Sequence, residues 1–311
     1  MPGTLLILTN SEDATATFVC KNLAPDSFIR LDTDTLMRTT RITYAHEPLL
    51  QTPGSTLHLR DVAAVWLRRP KPLVVSTGRN TAERRHIANE WAEAVEGFLA
   101  HIPAERWINY PARNATASHK MEQLTRARTL GLQTPDTLVT QDAQELRAFC
   151  DTHHAVIIKP LASGYLEYED GSASIFTNRI SKRDITHLPL EAAPTLFQEE
   201  IAKSADVRIT VLDDHLTAVA MRKMNGTRQI LDIRRDNMEG VEYERITPPP
   251  AIEQGIRALM NSYGLRFGAL DFAITHAGTW IFLELNPNGQ WAWLDIAGVT
   301  DIWRGFARCT T

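Results

Sequence analysis

The chain has 311 residues, of which 43% are hydrophobic and 23% charged, and this length is enough for two or three domains. Its formal net charge of −4 argues against a protein that coats nucleic acid, and its apolar runs are too short to span a membrane. Three widely spaced cysteines are typical of reduced thiols rather than of a disulfide framework. We therefore expect a cytoplasmic protein that binds neither nucleic acid nor membranes.

The first third of the chain predicts a small α/β domain. Residues 4–9 are typical of a buried strand, and Ser11-Glu12-Asp13 is expected to open a helix with acidic residues in its first turn. A helix over 81–102 carries one apolar stripe. Further strands are predicted at 27–31, 56–59 and 63–68. This alternation indicates a largely parallel sheet, in a domain that ends near residue 110.

A second unit follows, over residues 111–196. It begins with a predicted helix, 115–130, that Gly131 closes, and a later helix is capped by Asp142, with Glu145 three residues on. Strands are expected at 137–140, 155–159 and 174–180. A loop over 161–173, with Gly164, Asp170 and Gly171, separates the last two strands.

The last unit, 197–311, contains two predicted hairpins. The first pairs 207–212 with 216–222, the second pairs 268–272 with 280–286, and a single strand is expected at 228–234. Between them, Pro248-Pro249-Pro250 starts a helix that runs to Tyr263, with Gly264 just beyond its end.

The second hairpin carries hard oxygen ligands. Asp271 lies on one strand, and Glu284 and Asn286 lie on the other. Because Glu284 and Asn286 are two residues apart, their side chains share one face of the strand. Two carboxylates and an amide suit Mg²⁺ held jointly with substrate phosphates. The alternative is a hairpin whose acidic residues only face water.

Cationic side chains follow other predicted elements. Lys120 begins a helix, and Lys159 ends a buried strand, where an ammonium group can bind phosphate. Arg208 and Arg222 lie on the first hairpin, with Arg208 able to face the metal ligands. Taken alone, each of these four side chains could equally be a solvated surface charge.

The segment 197–201, Phe-Gln-Glu-Glu-Ile, is a candidate linker strand whose backbone groups face an adenine edge. An edge strand with solvated acids explains this segment equally well.

Residues 107–295 resemble ATP-grasp ligases, because a series of candidate residues occurs here in the order seen in that family. The residues that carry this resemblance are Lys120, Lys159-Pro160, Gln198-Glu199, Asp206-Val207-Arg208, Arg222, Asp271, Glu284 and Asn286. The N-terminal unit resembles the pre-ATP-grasp domain. Two further stretches, Val65 to Pro70 and Glu284 to Trp291, are similar to graspetide synthetases, the ribosomal-peptide maturases related to microviridin ligases.

The resemblance implies an α/β fold of the α+β ATP-grasp type in three parts. These are an N-terminal pre-ATP-grasp domain (1–110), a central ATP-grasp subdomain (111–196) and a C-terminal subdomain (197–311), with the nucleotide between the last two. It implies ATP and Mg²⁺ as cofactors, a precursor peptide with leader and core as partner, and a homodimer. The nucleotide would be bound by Lys120, Lys159, Gln198, Glu199, Glu200 and Ile201, and the metal by Asp271, Glu284 and Asn286.

The implied reaction activates Asp or Glu side chains of the peptide as acyl phosphates and forms ω-ester or ω-amide crosslinks. Arg208 and Arg222 would neutralise charge during this reaction. Arg234, Arg235 and Asp236 are candidates for peptide contact, although a solvated turn is the more common role for such residues.

Four residues outside these sets stay open between two roles. Arg68 and Arg69 either read an anionic peptide or mark an exposed strand end. Trp291 and Trp293 either cover the active site or pack in the core, which is the more common role of aromatic residues at helix spacing.

Two other functions remain open. One is a RimK-like or glutathione-synthetase-like ligase that joins a free amino acid to a carboxylate. The other is a non-catalytic module that binds nucleotide and peptide. An intact set of Asp271, Glu284 and Asn286 argues against the module, because a decayed site is expected to lose ligands.

Overall fold

A computed structural model describes residues 3–162, 164–168, 171–225 and 228–309. Asp170, predicted in the loop after Lys159, lies outside these residues, and so does the side chain of Asp236. Within the described ranges no helix is both long and apolar enough to cross a bilayer.

The N-terminal part is built on a parallel sheet, as predicted. Its strand order is β2-β1-β6-β7. The elements of this part are β1 (Thr4–Thr9), α1 (Ala14–Asn22), β2 (Phe28–Asp32), α2 (Leu36–Thr39), β3 (Arg41–Tyr44), β4 (Pro48–Thr52), β5 (Ser55–His58), β6 (Val62–Leu67), α3 (Thr81–Ala100) and β7 (Trp107–Ile108). Strands β3, β4 and β5 form a separate antiparallel sheet.

The start of α1 differs from the prediction. Asp13 is the N-cap, and its carboxylate accepts hydrogen bonds from the backbone N–H groups of Thr15 and Ala16. The helix therefore begins at Ala14, with no acidic residue in its first turn.

The central part carries an antiparallel sheet of order β12-β9-β13-β8. Its elements are α4 (Pro111–Ala117), α5 (Lys120–Thr129), β8 (Thr137–Thr140), α6 (Ala143–Thr152), β9 (Val156–Lys159), β10 (Tyr165–Tyr168), β11 (Gly171–Ser174), β12 (Asn178–Ile180) and β13 (Thr195–Glu199). Strand β13 runs to Glu199, past the predicted division at residue 196, and the domain boundaries remain a prediction.

Four expectations for the central part are wrong. The helix over 115–130 is two helices, because the Gln123 side chain donates to the Ala117 carbonyl at 2.6 Å and so takes up an acceptor at the end of α4. The loop over 161–173 contains the antiparallel hairpin of β10 and β11, and the strand over 174–180 is present only as β12. Strand β13 lies between β8 and β9, so it is not an edge strand.

The C-terminal part is built on a five-stranded antiparallel sheet of order β18-β15-β14-β19-β20. Its elements are β14 (Lys203–Leu212), β15 (His215–Arg222), β16 (Met224–Asn225), β17 (Arg228–Gln229), β18 (Glu242–Ile246), α7 (Pro250–Tyr263), β19 (Phe267–Thr275), β20 (Trp280–Asn286), α8 (Ala292–Ile296) and α9 (Trp303–Arg308). Both predicted hairpins are present, and Gly264 ends α7 in the left-handed conformation with φ of 65°.

The strand predicted at 228–234 stops at Gln229. The carboxylate of Asp232 accepts a hydrogen bond from the backbone N–H of Arg234 at 3.1 Å, which turns the chain locally. Residues 230–234 therefore do not continue the strand and run toward the central part.

The N-terminal and C-terminal parts share a hydrophobic core on one face of the five-stranded sheet. Trp66 of β6 packs with Phe267 of β19 and Phe306 of α9. Trp291 is fully buried and stacks on Phe306 with ring centroids 5.4 Å apart, which confirms that it is a core residue. The opposite face of the sheet packs against α5 and α7.

Candidate functional site

A cavity of about 660 Å³ lies where the central sheet faces the five-stranded sheet. The central side contributes Lys120, Lys159 and the segment 198–201, and the C-terminal side contributes the predicted metal ligands. One concave site with a few convergent polar groups is the usual form of a binding site. The structure therefore brings most of the predicted site residues together.

The backbone register sets the spacing of the predicted metal ligands. Asp271 of β19 pairs directly with Glu284 of β20. The amide nitrogen of Asn286 lies 3.2 Å from Glu284 Oε1 and 3.4 Å from Asp271 Oδ2, so it bridges the two carboxylates. All three side chains line the cavity, as the two-residue alternation predicts.

Burial and neighbouring charges move the carboxylate pKa values in opposite directions. Burial raises the pKa of Asp271, and the facing Arg208 only partly offsets this. For Glu284 burial also acts upward, but Lys120 and Lys159 outweigh it and lower the pKa to about 2. Glu284 is therefore the more firmly ionised of the pair.

The donor set fits Mg²⁺. Carboxylate and amide oxygens are hard ligands, and Mg²⁺ is usually held by one or two carboxylates together with phosphates. Among the described residues no group of three or more His, Cys, Asp or Glu is placed to hold a metal. Asn286 would have to turn its amide by half a turn to present oxygen instead of nitrogen.

The two predicted lysines lie side by side in the cavity. Lys120 Nζ donates to the Pro160 carbonyl at 2.7 Å and lies 3.5 Å from Glu284 Oε2. Lys159 ends β9, where burial lowers its pKa to about 8, while Glu284 acts in the opposite direction. Both ammonium groups are positioned to bind a phosphate beside the carboxylates.

Most side chains of the predicted nucleotide-binding segment, 198–201, already form hydrogen bonds or an ion pair within the protein. Gln198 is buried and donates to Thr137 Oγ1 at 2.8 Å, Glu199 accepts from the Asp136 N–H at 3.0 Å, and Glu200 is paired with Arg179. The backbone N–H groups of Glu199 and Glu200 are also engaged, because they donate to the Asp136 and Ala155 carbonyls at 3.0 and 2.8 Å. Binding of a nucleotide base by this segment therefore stays a prediction.

The two predicted catalytic arginines lie in different places. Arg208 Nε donates to Asp271 Oδ1 at 2.8 Å, and its Nη1 donates to the Gln290 carbonyl at 2.7 Å. Arg222 instead pairs with Glu244 at 2.7 Å and does not line the cavity. The structure therefore brings Arg208 into the site and leaves Arg222 outside it, and the role of Arg222 stays a prediction.

The candidate peptide-contact residues divide in the same way. Arg234 lines the cavity and donates two hydrogen bonds to Asp232, at 2.9 and 2.6 Å. Arg235 turns to the central part, donating to the Thr177 carbonyl at 3.1 Å and to Asn178 Oδ1 at 2.6 Å. Their role in peptide binding stays a prediction.

Arg68 and Arg69 also have different environments. Arg68 is 1% exposed, so the interpretation as an exposed strand end is wrong for this residue. Arg69 is exposed and lines the cavity.

Sequence reasoning missed Gln123, a buried residue of α5. Its side chain accepts from the Leu285 N–H at 2.9 Å and donates to the Leu285 carbonyl at 2.8 Å. Leu285 lies between Glu284 and Asn286, so Gln123 fixes the strand at the metal ligands. No local pattern reveals this contact, because the two residues are 162 positions apart.

Lys203 and Asp206 were also missed as a pair at the cavity wall. Lys203 Nζ donates to Asp206 Oδ1 at 2.6 Å and to the Leu231 carbonyl at 3.0 Å. Their spacing of three residues along a strand gave no signal, since such positions usually face opposite sides.

Two protein families match successive parts of the chain. The MvdD pre-ATP grasp domain matches residues 4–115. The ATP-grasp domain of prokaryotic glutathione synthetase matches residues 122–272. No curated protein sequence matches the chain.

Solved structures match over nearly the whole chain. Macrocyclase MdnC from Microcystis aeruginosa MRC, bound with precursor peptide MdnA, is 26% identical with a TM-score of 0.81, over 99% of both chains. A RiPP-associated ATP-grasp ligase from Chryseobacterium gregarium, in complex with ADP and a leader and core peptide, is 23% identical with a TM-score of 0.79, over 99% of this chain and 96% of that one. ATP-grasp ligase PsnB, with a phosphomimetic minimal precursor, Mg and ADP, is 19% identical with a TM-score of 0.74, over 100% and 98%. The predicted fold is confirmed.

Proposed function

Because this chain belongs to the ATP-grasp ligases and carries a pre-ATP-grasp domain of the MvdD type, we propose that it is an ATP-dependent peptide macrocyclase. It activates Asp or Glu side chains of a ribosomally made precursor peptide. It then joins each activated group to a hydroxyl or amine of the same peptide, forming ω-ester or ω-amide crosslinks.

The observation that carries this proposal is the set of residues that line the cavity between the central sheet and the five-stranded sheet. It combines two lysines and a Mg²⁺-type ligand set with a further cationic wall formed by Arg69, Arg208 and Arg234. A nucleotide with its metal needs the first two features. The extra arginines supply positive charge for a second anion, which suits a carboxylate substrate.

In the first step a peptide carboxylate oxygen attacks the γ-phosphorus of ATP. The bond from that phosphorus to the β–γ bridging oxygen breaks, which releases ADP and leaves an acyl phosphate. Bound Mg²⁺ would neutralise phosphate charge at Asp271, Glu284 and Asn286. Lys120 and Lys159 hold the phosphates, and Arg208 faces the transferred group, which offsets the repulsion between two anions.

In the second step a Thr or Ser hydroxyl, or a Lys amine, attacks the carbonyl carbon of the acyl phosphate. The carbon–oxygen bond to phosphate breaks, inorganic phosphate leaves, and the nucleophile loses one proton. The net change in the peptide is the loss of one water for each ring. Because both groups belong to one bound peptide, ring closure gains the advantage of an intramolecular reaction.

The proposal includes a homodimer in the cytoplasm. The dimer is implied by the resemblance to related synthetases, and α3 offers an exposed surface, since Phe98 is its one buried residue among those the structure describes. The cytoplasm agrees with three free cysteines. Sedimentation velocity of the purified chain tests the dimer, and a monomer at all concentrations contradicts it.

ADP release that depends on an acidic peptide tests the function. With ATP, Mg²⁺ and a candidate precursor peptide sought among the reading frames near the gene, we expect ADP release that stops when the Asp and Glu residues of the core are replaced by Asn and Gln. ADP release that requires a free amino acid would favour the amino-acid ligase. Nucleotide binding without turnover, across a panel of acidic peptides, would favour the binding module.

A further inference from the structure

The N-terminal part reaches the cavity wall through one buried side chain, Arg68, which directly follows β6. Its Nη1 donates to the Asn288 carbonyl at 2.5 Å, and its Nη2 donates to Gln290 Oε1 at 2.5 Å. Its Nε lies 3.6 Å from Oδ2 of Asp13, the cap of α1. The guanidinium fork therefore holds both ends of the segment 288–290.

This segment in turn holds Arg208. The Gln290 carbonyl accepts from Arg208 Nη1 at 2.7 Å, while Arg208 Nε donates to Asp271 at 2.8 Å. Thr15 of α1 adds a hydrogen bond to Gln290 Oε1 at 2.5 Å. A continuous polar path thus joins the N-terminal part to Asp271 through Arg68, Gln290 and Arg208.

We propose that Arg68 is a positioning residue for the ligase reaction. It holds the Asn288 carbonyl and the Gln290 side chain, and this placement of the segment fixes the Gln290 backbone carbonyl that accepts from the guanidinium of Arg208. The inference rests on the proposed function for the chemical role of Arg208. Its consequence is that the N-terminal part completes the active site.

Arginine suits this position because it can donate to two separated oxygens at once, whereas lysine presents a single ammonium group. Arg68→Lys therefore keeps the charge beside Asp13 but loses the fork. Arg68→Met removes the charge as well. The cap of α1 is expected to survive in both variants, since the Asp13 carboxylate also accepts from Thr9 Oγ1 at 2.6 Å and from two backbone N–H groups.

A matched control comes from Arg113 of α4. This half-buried arginine donates to the Gly264 carbonyl at 3.1 Å, so it also ties a helix to the C-terminal part. It does not line the cavity. Arg113→Met therefore shows how much activity is lost when an arginine contact between a helix and the C-terminal part is removed away from the cavity.

The kinetic test measures peptide-dependent ADP release at saturating ATP, Mg²⁺ and peptide. We expect Arg68→Met and Arg68→Lys to lower kcat by about 10- to 100-fold, with KM for ATP changed by less than about threefold, and Arg113→Met to stay near wild type. In an Arg208→Lys background, Arg68→Met should lower kcat further by less than about twofold, because the guanidinium that Arg68 positions is already absent. Equal losses in both backgrounds would overturn the inference.

A second readout does not depend on activity. In arginine-labelled protein the NMR signal of Arg208 Nε–H, assigned by its absence in Arg208→Lys, reports the environment of that guanidinium. We expect this signal to shift and exchange faster in both Arg68 variants and to stay unchanged in Arg113→Met. An unchanged signal together with a lower unfolding temperature would show that Arg68 is only structural. If wild type releases no ADP with any peptide, the proposed function fails, and the NMR result still decides the role of Arg68.

Discussion

Arg208 and Asp271 lie directly opposite each other on the adjacent antiparallel strands β14 and β19, with Nε of the arginine 2.8 Å from Oδ1 of the aspartate. One carboxylate therefore serves both a predicted metal site and the arginine that would face the transferred phosphoryl group. Backbone register places these two residues opposite each other, so their pairing is built into the sheet rather than into a loop.

Removing one of the proposed Mg²⁺ ligands should stop the reaction. We expect Asp271→Asn or Glu284→Gln to lower peptide-dependent ADP release by about 100-fold or more, because phosphate charge is no longer neutralised at the site. Release measured across a Mg²⁺ titration checks this, and chelation of Mg²⁺ should abolish it in wild type. Glu253→Gln, at the ion pair with Arg257 on α7 outside the cavity, is the control. A normal rate in the Glu284 variant would contradict the assignment.

Nucleotide binding should take up a proton at alkaline pH. Burial disfavours the charged form of Lys159 and lowers its pKa to about 8, whereas a bound triphosphate favours the charged form and raises the pKa again. Binding of ATP at about pH 9 should therefore consume about one proton, and binding at about pH 7 none.

Calorimetry in two buffers of different ionisation enthalpy measures this proton uptake. Lys159→Met should lose it, and Lys182→Met, at an exposed ion pair with Asp151, should keep it. Equal proton uptake in the Lys159 variant would mean that another group titrates.

The loop beyond β20 leaves no space for a side chain at Gly289. A Cβ there would lie 2.4 Å from Cβ of Ala269 and 3.3 Å from the Asn286 carbonyl. Gly289→Ala should therefore cost about 1–3 kcal/mol of the free energy of unfolding and should lower turnover, because the segment that holds Arg208 must shift.

Urea unfolding of the purified variants measures the cost. Gly97→Ala in α3 is the control, since nothing lies within 4 Å of a Cβ at that position. It should raise the free energy of unfolding by about 0.5–1 kcal/mol. A neutral Gly289 variant would show that the loop can move without consequence.

Gln123 should affect the Mg²⁺ requirement although it hydrogen-bonds to Leu285 and not to a proposed metal ligand. Gln123→Met leaves the N–H and the carbonyl of Leu285 without their partner, which we expect to cost about 2 kcal/mol or more of unfolding free energy. It should also raise the Mg²⁺ concentration needed for half-maximal ADP release, because Leu285 separates two of the ligands. Gln144→Met, at an exposed position of α6, should change neither quantity. A destabilised variant with an unchanged Mg²⁺ requirement would limit Gln123 to a structural role.

Local patterns in the sequence predicted the elements and much of the cavity. The two-residue spacing of Glu284 and Asn286 predicted a shared face, and Gly264 predicted the end of α7, because both depend on nearby residues alone. The break between α4 and α5 and the turn at Asp232 were not predicted, since side-chain hydrogen bonds override the local preference there.

The buried contacts of Arg68 and Asn109 also could not be predicted from the sequence. The Asn109 amide donates to the Phe267 and Pro287 carbonyls at 2.9 and 3.1 Å. These partners are 158 and 178 residues away, and a single sequence does not tell which distant backbone groups an arginine or an amide will satisfy.

Intact mass spectrometry of a candidate precursor peptide from a reading frame near the gene, after incubation with this protein, ATP and Mg²⁺, tests the central claim most directly. The account predicts a loss of one water mass for each ring, absent with the Glu284→Gln protein. A gain of an amino-acid residue mass when free amino acids are supplied, with no loss of water under any condition, would contradict the macrocyclase.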